Sequence, residues 1–551
     1  MRFVTRTPKL LLALALILQI AFFSFVALHR FIDLDEGSYL LASRLVLAHQ
    51  KPYLDFFYNQ APLLPYVYAA WMKCTHLTWV SAKVFSALLT AFLGTLLFAD
   101  VWVRTRNKAA GFAALLLFAS STLVFAWFPL VKTYSLAEVF LFSSYFAVSR
   151  ISEDFAPLLI LSGGLFWGLS VDTRSYLLLL MPIFLWWTLR HSGAGLKHRA
   201  AVLFFIGFAL GSLPSLWLFV QSPDIFLFDN LRYHALRSSA GLVGWWWEKL
   251  IIVLQLFLGS STANGLQWSI LVFVIIGLAL AVPGKMLSAR FATQLAVGSA
   301  LISMLPTPAY VQYFSICVPF LIAAAVSAVV DLWNGLVSPR ERAIASLCCV
   351  VLMMLYVAAP ANDFRRYLVT GGAIPGVKGS TDKNDWRLTR ILQVSQEIDK
   401  VASPGESVAS FWPGDIFQSN AQPVSGFENP FGLPIGDKLD GYERARYHIL
   451  SIMEIEDKFA AHKPRIVVLR DQIISPFTDQ HYNGIWDNGD IFRRALFSNG
   501  YVLIHSFGGI SIYSCCNSVA GSTGATSDQQ SRQRDSGQEL RHVGNTNNPA
   551  R

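Results

Sequence analysis

Apolar residues gather into long runs that recur from Lys9 to about Ala361, after which the pattern changes. About eleven stretches approach the roughly 20 residues that a helix needs to cross a bilayer. They lie at 10–29, 83–103, 109–127, 134–149, 156–171, 175–189, 200–220, 267–284, 291–306, 313–331 and 343–360. The shorter ones must borrow residues from neighbouring loops. The stretch 249–260 is apolar but short, and reads as a re-entrant or interfacial piece. Arg2, Arg6 and Lys9 precede the first run, which is span-length and ends without a small-residue cleavage motif. It therefore reads as a first transmembrane helix and not as a leader.

Between the runs, polar residues alternate in character. With the N-terminus in the cytoplasm, every inside connection is basic: Arg104, Arg106 and Lys108; Arg150; Arg190, Lys197 and Arg199; Lys285 and Arg290; Arg340 and Arg342. The outside connections mix signs, as the positive-inside rule expects. They are also the long ones, at about 30–82 and 221–267. The first has two amphipathic helical segments, 36–49 and 63–74, with an aromatic-rich stretch 53–58 between them, and the spacing predicts two helices lying in the interface.

Past residue 361 the periodicity becomes that of an α/β unit. Helices are expected at 385–401, 442–461 and 491–498, strands at 407–412 and 465–470, and a closing hairpin at 501–506 and 509–513. The tail 517–551, rich in Ser, Gly, Gln and Asn and free of aromatics, reads as disordered. The expected architecture is an α-helical polytopic membrane domain, 1–361, with an exoplasmic α/β domain, 362–516, and that tail.

Composition sharpens this. The chain of 551 residues is 54% hydrophobic and only 14% charged, against about 25% charged in soluble domains. A net charge of +9 would suggest nucleic acid, but the basic residues sit between apolar runs, where membrane orientation explains them. The six cysteines have no zinc spacing, and no Gly-rich phosphate loop follows a strand.

Candidate chemistry collects on the outer side. The run Asp33-Leu34-Asp35-Glu36 follows the first span. Asp35 could simply cap the next helix, with Glu36 favouring its first turn. A carboxylate at the membrane boundary is also placed to act as a general base on a lipid-linked substrate. Lys132 is a lone cation at an outer helix end, able to snorkel to lipid phosphate or to bind a substrate phosphate. Glu138 lies about a turn inside its span, where ionisable groups are functional candidates. Asp172 and Arg174 share a turn and could pair with each other. Tyr233, His234 and Arg237 carry less weight, as loop residues that solvation explains. Gln312 and Tyr313 open the tenth expected span, as belt residues or headgroup contacts.

Three first-loop elements resemble the signature of GT-C glycosyltransferases. They are Asp35-Glu36-Gly37-Ser38-Tyr39-Leu40, Pro52-Tyr53-Leu54-Asp55, and Asn59-Gln60-Ala61-Pro62-Leu63-Leu64-Pro65-Tyr66. The pattern is most like the bacterial branch related to protein O-mannosyltransferases and lipid A aminoarabinose transferases. Gly164-Leu165-Phe166-Trp167-Gly168-Leu169 with Thr173-Arg174, and Tyr310-Val311-Gln312-Tyr313-Phe314 with Pro319, extend the resemblance over most of the membrane region. Two features depart from it. Ala61 stands where many relatives have proline, and the second outer loop offers Lys132-Thr133-Tyr134 where many have an acid.

The resemblance implies a polyprenyl-phosphate-linked sugar as donor, an exoplasmic glycan, lipid or protein as acceptor, and the bacterial inner membrane as location. It assigns the base to Asp35, with Asp33 and Glu36 beside it. Asp55, Tyr58, Lys132, Glu138, Arg174, Gln312 and Tyr313 become candidates for donor or substrate contact. No metal or cofactor is called for. The other classes are a flippase or transporter for a lipid-linked sugar and a non-catalytic envelope component. The halves show no repeat of the transporter kind, and an assembly role would leave the acidic loop unexplained.

Overall fold

The computed structural model describes residues 6–151, 156–237, 242–259, 265–281, 289–306, 310–370, 386–470 and 489–515. The expected tail and Cys516 lie outside these residues. The helical region runs through α1 (Arg6–His29), α2 (Leu34–Leu47), α3 (Leu63–Cys74), α4 (Trp79–Thr105), α5 (Lys108–Ser120), α6 (Thr122–Trp127), α7 (Thr133–Val148) and α8 (Pro157–Val171). It continues through α9 (Met181–His191), α10 (Lys197–Gly211), α11 (Leu213–Gln221), α12 (Pro223–Leu227), α13 (Tyr233–Arg237), α14 (Leu242–Leu258), α15 (Leu266–Ala281), α16 (Arg290–Ser303), α17 (Val318–Gly335), α18 (Pro339–Ala358) and α19 (Ala361–Thr370).

Each expected span falls on helix, but not all as single rods. Four helices among the described residues are long and apolar enough to cross a membrane, and a fifth span is possible if α10 and α11, bent by 66°, are one. Pro214 at the start of α11 cannot donate the helical hydrogen bond that would continue the rod. Extended backbone at Ser121 divides α5 from α6. The expected count of eleven spans is therefore not what the helix lengths alone give. Of the short stretch expected at 249–260, residues 249–258 belong to the longer α14, and residue 260 lies outside the described residues.

The burial pattern separates centre from rim. The span leading through α17 is 89% buried, whereas α18 is 6% buried. Leu347 and Met354 on α18, Leu10 and Ile17 on α1 and Val220 on α11 are exposed. Apolar side chains in such numbers on an outer surface fit hydrocarbon as the surrounding solvent. Within the bundle α8 and α10 cross at a reciprocal glycine seam. A Cβ on Gly164 would lie 2.0 Å from the Phe204 carbonyl oxygen, and one on Gly207 2.2 Å from that of Leu161. The backbones touch, which is the contact small residues permit between membrane helices.

The first loop departs from its expected setting. Both helices, α2 and α3, are present, but α2 does not lay a polar face on headgroups. Ser38 and Ser43 are buried. Arg44 donates to the carbonyls of Ile416, Ser419 and Ala421 at 2.7, 2.9 and 2.5 Å. Arg44 of this face is thus tied to the α/β domain, while Ser43 donates to the Tyr39 carbonyl within the helix.

That domain holds α20 (Leu388–Val401), α21 (Gly414–Phe417) and strands β1 (Ser407–Ser410), β2 (Gln422–Pro423), β3 (Ile466–Arg470), β4 (Val502–Phe507) and β5 (Ile510–Ser514). The sheet order is β2-β1-β3-β5-β4, parallel across β2, β1 and β3 and antiparallel beyond. The helix expected at 442–461 is instead two, Gly441–Arg446 and Ile452–Ala460, each opened by its own capping box. At the carboxyl end of β1 and β3, Trp412 donates to the Leu34 carbonyl at 2.8 Å. There Arg470, paired with buried Asp415, lies against the rings of Trp386 and Trp412, which themselves meet edge-on. This edge is where open parallel sheets usually hold ligands; here it holds α2. Gly37 makes the contact possible, since a Cβ there would sit 2.6 Å from the Gly414 nitrogen.

Gly164→Ala is expected to lower stability by roughly 1–3 kcal/mol through backbone overpacking. Gly277→Ala, where a Cβ meets nothing within 4 Å, is expected to hold or gain about 0.5–1 kcal/mol from helix propensity. Thermal unfolding of both in one detergent checks the difference in sign.

Candidate active site

The site is built on the start of α2. Asp33, and not Asp35, is the helix cap: its Oδ1 accepts from the Asp35 amide at 3.0 Å. Glu36 returns the bond, accepting from the Asp33 amide at 2.7 Å. This reciprocal capping box satisfies two of the amides a helix start leaves open. Asp35 is thereby released from backbone duty and points outward from the first turn.

Glu36, expected beside Asp35 among the catalytic acids, is fully buried and paired with equally buried Lys83 of α4 at 3.0 Å. The same oxygen, Oε2, accepts from the Val131 amide at 3.1 Å, while Oε1 takes the Asp33 amide. Every lone-pair direction goes to structure, so Glu36 ties α2, α4 and the segment before α7 into one frame. Breaking such a buried pair from one side typically costs about 3–5 kcal/mol.

The frame delivers Lys132, the residue after Val131. Its ammonium reaches Asp33 Oδ1 at 2.7 Å and Asp35 Oδ2 at 2.8 Å, and lies over the Trp127 ring. Lys132 is almost completely buried, while 36% of the Asp35 side chain stays open. Burial pushes the Asp33 carboxyl up, but Lys132 and Arg30 outweigh it and hold the group below its ordinary range. For Asp35 the balance reverses. Burial and the neighbouring Asp33 charge exceed the pull of Lys132 and leave its carboxyl raised. Two acids on one cation thus divide into a fixed anion and an accessible, more basic one.

Arg174 faces this pair from the turn after α8. Its guanidinium lies 4.3, 5.0 and 5.4 Å from the ring centres of Tyr134, Tyr176 and Tyr313, and donates to Thr133 Oγ1 at 2.9 Å. Its Nε has no hydrogen-bond partner among the described residues, and no carboxylate pairs with it there. Tyr176 and Tyr313 reach it from 3₁₀ turns, Ser175–Leu180 and Val311–Cys317, that lead into α9 and α17. Tyr39, on the α2 turn above Asp35, senses Asp35, Lys132 and Arg174 together. A guanidinium of this kind offers the planar, forked donors that phosphate and carboxylate groups accept.

The remaining expected residues divide. Tyr58 is buried with its hydroxyl unpartnered among the described residues, and its ring meets Tyr39 edge-on at 6.4 Å. Glu138 is buried in α7 below the tyrosine cage. Gln312 is half-buried beside Tyr313. Asp55 does not reach the site as an acid: its carboxylate accepts from the Lys51 amide at 2.7 Å and closes an exposed turn. Asp172 does not pair with Arg174 but accepts from the Ser215 amide at 3.0 Å. Two cations lacked weight in the sequence. Arg237 acts on both Asp35 and Tyr313. Buried Arg30 acts on Asp33 and donates to the Ala126 carbonyl at 2.8 Å. Nothing in their local sequence distinguishes them from ordinary loop arginines.

No family model matches the chain, and no curated protein matches it by sequence. Solved structures do match. ArnT from Cupriavidus metallidurans bound to undecaprenyl phosphate superposes at a TM-score of 0.62. The match covers 94% of this chain and 100% of that one, at 13% identity. This chain has an ArnT-like fold. ArnT in the apo state matches equally, at 0.62 over 93% and 99% of the two chains. The mycobacterial arabinofuranosyltransferase AftD matches at 0.46, over 93% of this chain and 42% of that one. The fold implied by the first-loop resemblance is thus the fold observed with ArnT.

Burial raises the Asp172 carboxyl to about 7. An acid raised on folding carries no penalty below its unfolded value near 3.8, and the stability is lost as pH climbs through about 7. Asp172→Asn, which keeps an acceptor for Ser215, should gain on wild type between about pH 4 and 7 and hold its lead above. Melting temperatures at pH 5 and pH 8 read the difference.

Proposed function

We propose that this protein is a membrane glycosyltransferase of the GT-C type, moving a sugar from a polyprenyl-phosphate donor to an acceptor on the outer face. The observation that carries the reading is the pairing of two unlike centres in one site. One is Asp35, an accessible carboxylate of raised basicity. The other is Arg174, a caged guanidinium with no acid paired to it among the described residues. The first suits removal of a hydroxyl proton, the second a phosphate.

The reaction follows from this division. The acceptor hydroxyl gives its proton to Asp35 as its oxygen attacks the anomeric carbon of the donor. The carbon–phosphate oxygen bond breaks, and the polyprenyl phosphate leaves with the electron pair. Arg174, Lys132 and Arg237 supply positive charge where that anion grows. A single displacement inverts the anomeric centre. Asp33 keeps Lys132 in place while Asp35 changes protonation. The chemistry uses no metal or cofactor.

The ArnT structure with bound undecaprenyl phosphate has the same fold, which supports the lipid class of donor. The basic connections described above favour an inner-membrane protein with its N-terminus in the cytoplasm and both the site and the α/β domain outside. The domain's grip on α2 makes it part of the frame of the site, and its outer surface is the natural place to select an acceptor.

Purified protein in liposomes, given a radiolabelled polyprenyl-phosphate sugar and envelope extract, should release labelled product. Asp35→Asn should cut kcat by about 10²–10⁴-fold with donor binding kept. Full transfer by Asp35→Asn would remove the base assignment. Movement of intact donor across the bilayer, with no bond cleaved, would make the protein a transporter.

A further inference from the structure

The stretch that follows α11 has two faces, and the site uses only one. α12, a π-helical turn at Phe228–Arg232 and α13 run on from Pro223 to Arg237. Asp229, Tyr233 and Arg237 recur every fourth residue and face inward. Asp229 accepts from the Tyr58 amide at 3.1 Å, the Tyr233 hydroxyl donates to the Phe431 carbonyl at 2.9 Å, and Arg237 reaches the Tyr310 hydroxyl at 3.5 Å. Leu227, Leu231 and Ala235 also recur every fourth residue but two positions out of step, which puts them on the opposite side. Asp229 and Tyr233 are wholly buried, whereas Leu231 is 64% exposed. On this outer side Leu227, Leu231 and Ala235 line an open groove of about 430 Å³ together with Phe228 and Tyr447, whose stacked rings have centres 3.7 Å apart.

An apolar groove of this kind is costly in water and ordinary against hydrocarbon. Two features identify what fills it. The groove continues a lipid-facing surface: Trp217 and Val220 on the last turns of α11 are exposed, and Phe219 of α11 packs edge-on to Phe226 of α12 at 5.7 Å. Lys51 lies over the Trp217 ring at 5.3 Å, a basic and aromatic pair that suits the headgroup level. The groove's rim is also polar and carries both signs. Asp224 and Arg232 line it. Asp224 pairs with Arg446 at 2.5 Å and Arg232 with Glu443 at 2.7 Å, and all four side chains keep some exposure. We propose that the groove seats a membrane phospholipid, with one acyl chain against Leu227, Leu231 and Ala235 and a zwitterionic head over the two ion pairs. The phosphate meets the arginines and the head's ammonium meets the acids. This site rests on the membrane placement and not on the transfer chemistry. A chain seated there lies on the back of the wall that holds Tyr58 and Arg237, so the lipid braces the site from outside.

The test is photo-crosslinking of the full chain in phosphatidylcholine nanodiscs that hold a trace of phosphatidylethanolamine with a diazirine in one acyl chain, mapped by mass spectrometry. Ala235 is exposed, so Ala235→Trp fills the groove without crowding the core. Displacing even two buried methylenes lowers affinity by about tenfold. The lipid seat expects label on residues 223–237 of wild type, a fall there of about tenfold in Ala235→Trp, and unchanged label on α18, whose outer surface meets bulk lipid. A wild type without label on 223–237 overturns the proposal. So does label there that Ala235→Trp leaves unchanged, the result that bulk lipid contact would give. Should Ala235→Trp fail to fold, Leu231→Asp, which sets a charge in the same groove, decides. Sugar transfer is not read, so the transferase reading stands or falls separately.

Discussion

The Lys132 ammonium, shared between Asp33 and Asp35, is the interaction on which the site turns. Two carboxylates this close would repel and one would take a proton; a buried cation between them keeps both in place. The arrangement depends on a second, deeper pair. Glu36 and Lys83 cancel each other inside the bundle, and Glu36 then spends its remaining lone pairs on the Asp33 and Val131 amides. One buried acid so positions the cap of α2 and the residue before Lys132. Near-identical neighbours in the chain, Asp33, Asp35 and Glu36, receive three different roles from their surroundings.

The α/β domain enters this scheme as a support. Its strand ends present Trp412 and Arg470 to α2, and Arg44 answers by gathering carbonyls of the domain. Buried polar contacts of this kind fix register more than they add stability. An active-site helix held from below by a charged pair and from above by a domain is rigid, which a site that must place a hydroxyl, a carbon and a phosphate in line requires.

Much of this was legible before the structure, and the failures have physical causes. Apolar runs mark helices because each is a continuous local signal. Their breaks at Ser121 and Pro214 are set by one residue each and pass unnoticed in a window of about 19. The acidic run announced a site, but which acid does what depends on Lys83 and Lys132, distant in sequence. Lys132 stood out as a lone cation at an outer helix end, whereas Arg174 shared its turn with Asp172 and was raised only by the resemblance. Arg30 and Arg237 did not, because a basic residue at a helix end has an ordinary explanation. Asp55 looked like its neighbours in the motif and turned out to close its own turn. Nothing local reveals that Arg44 of α2 binds carbonyls of a domain some 370 residues later.

The central claim is that Lys132 sets the ionisation of Asp35 as the base. It is tested most directly by the acid limb of the kcat–pH profile in Lys132→Met at saturating donor. With its cation removed and Asp33 still beside it, Asp35 should be harder to ionise. The limb should move to higher pH by about a unit or more. An acid limb unchanged from wild type would contradict the account.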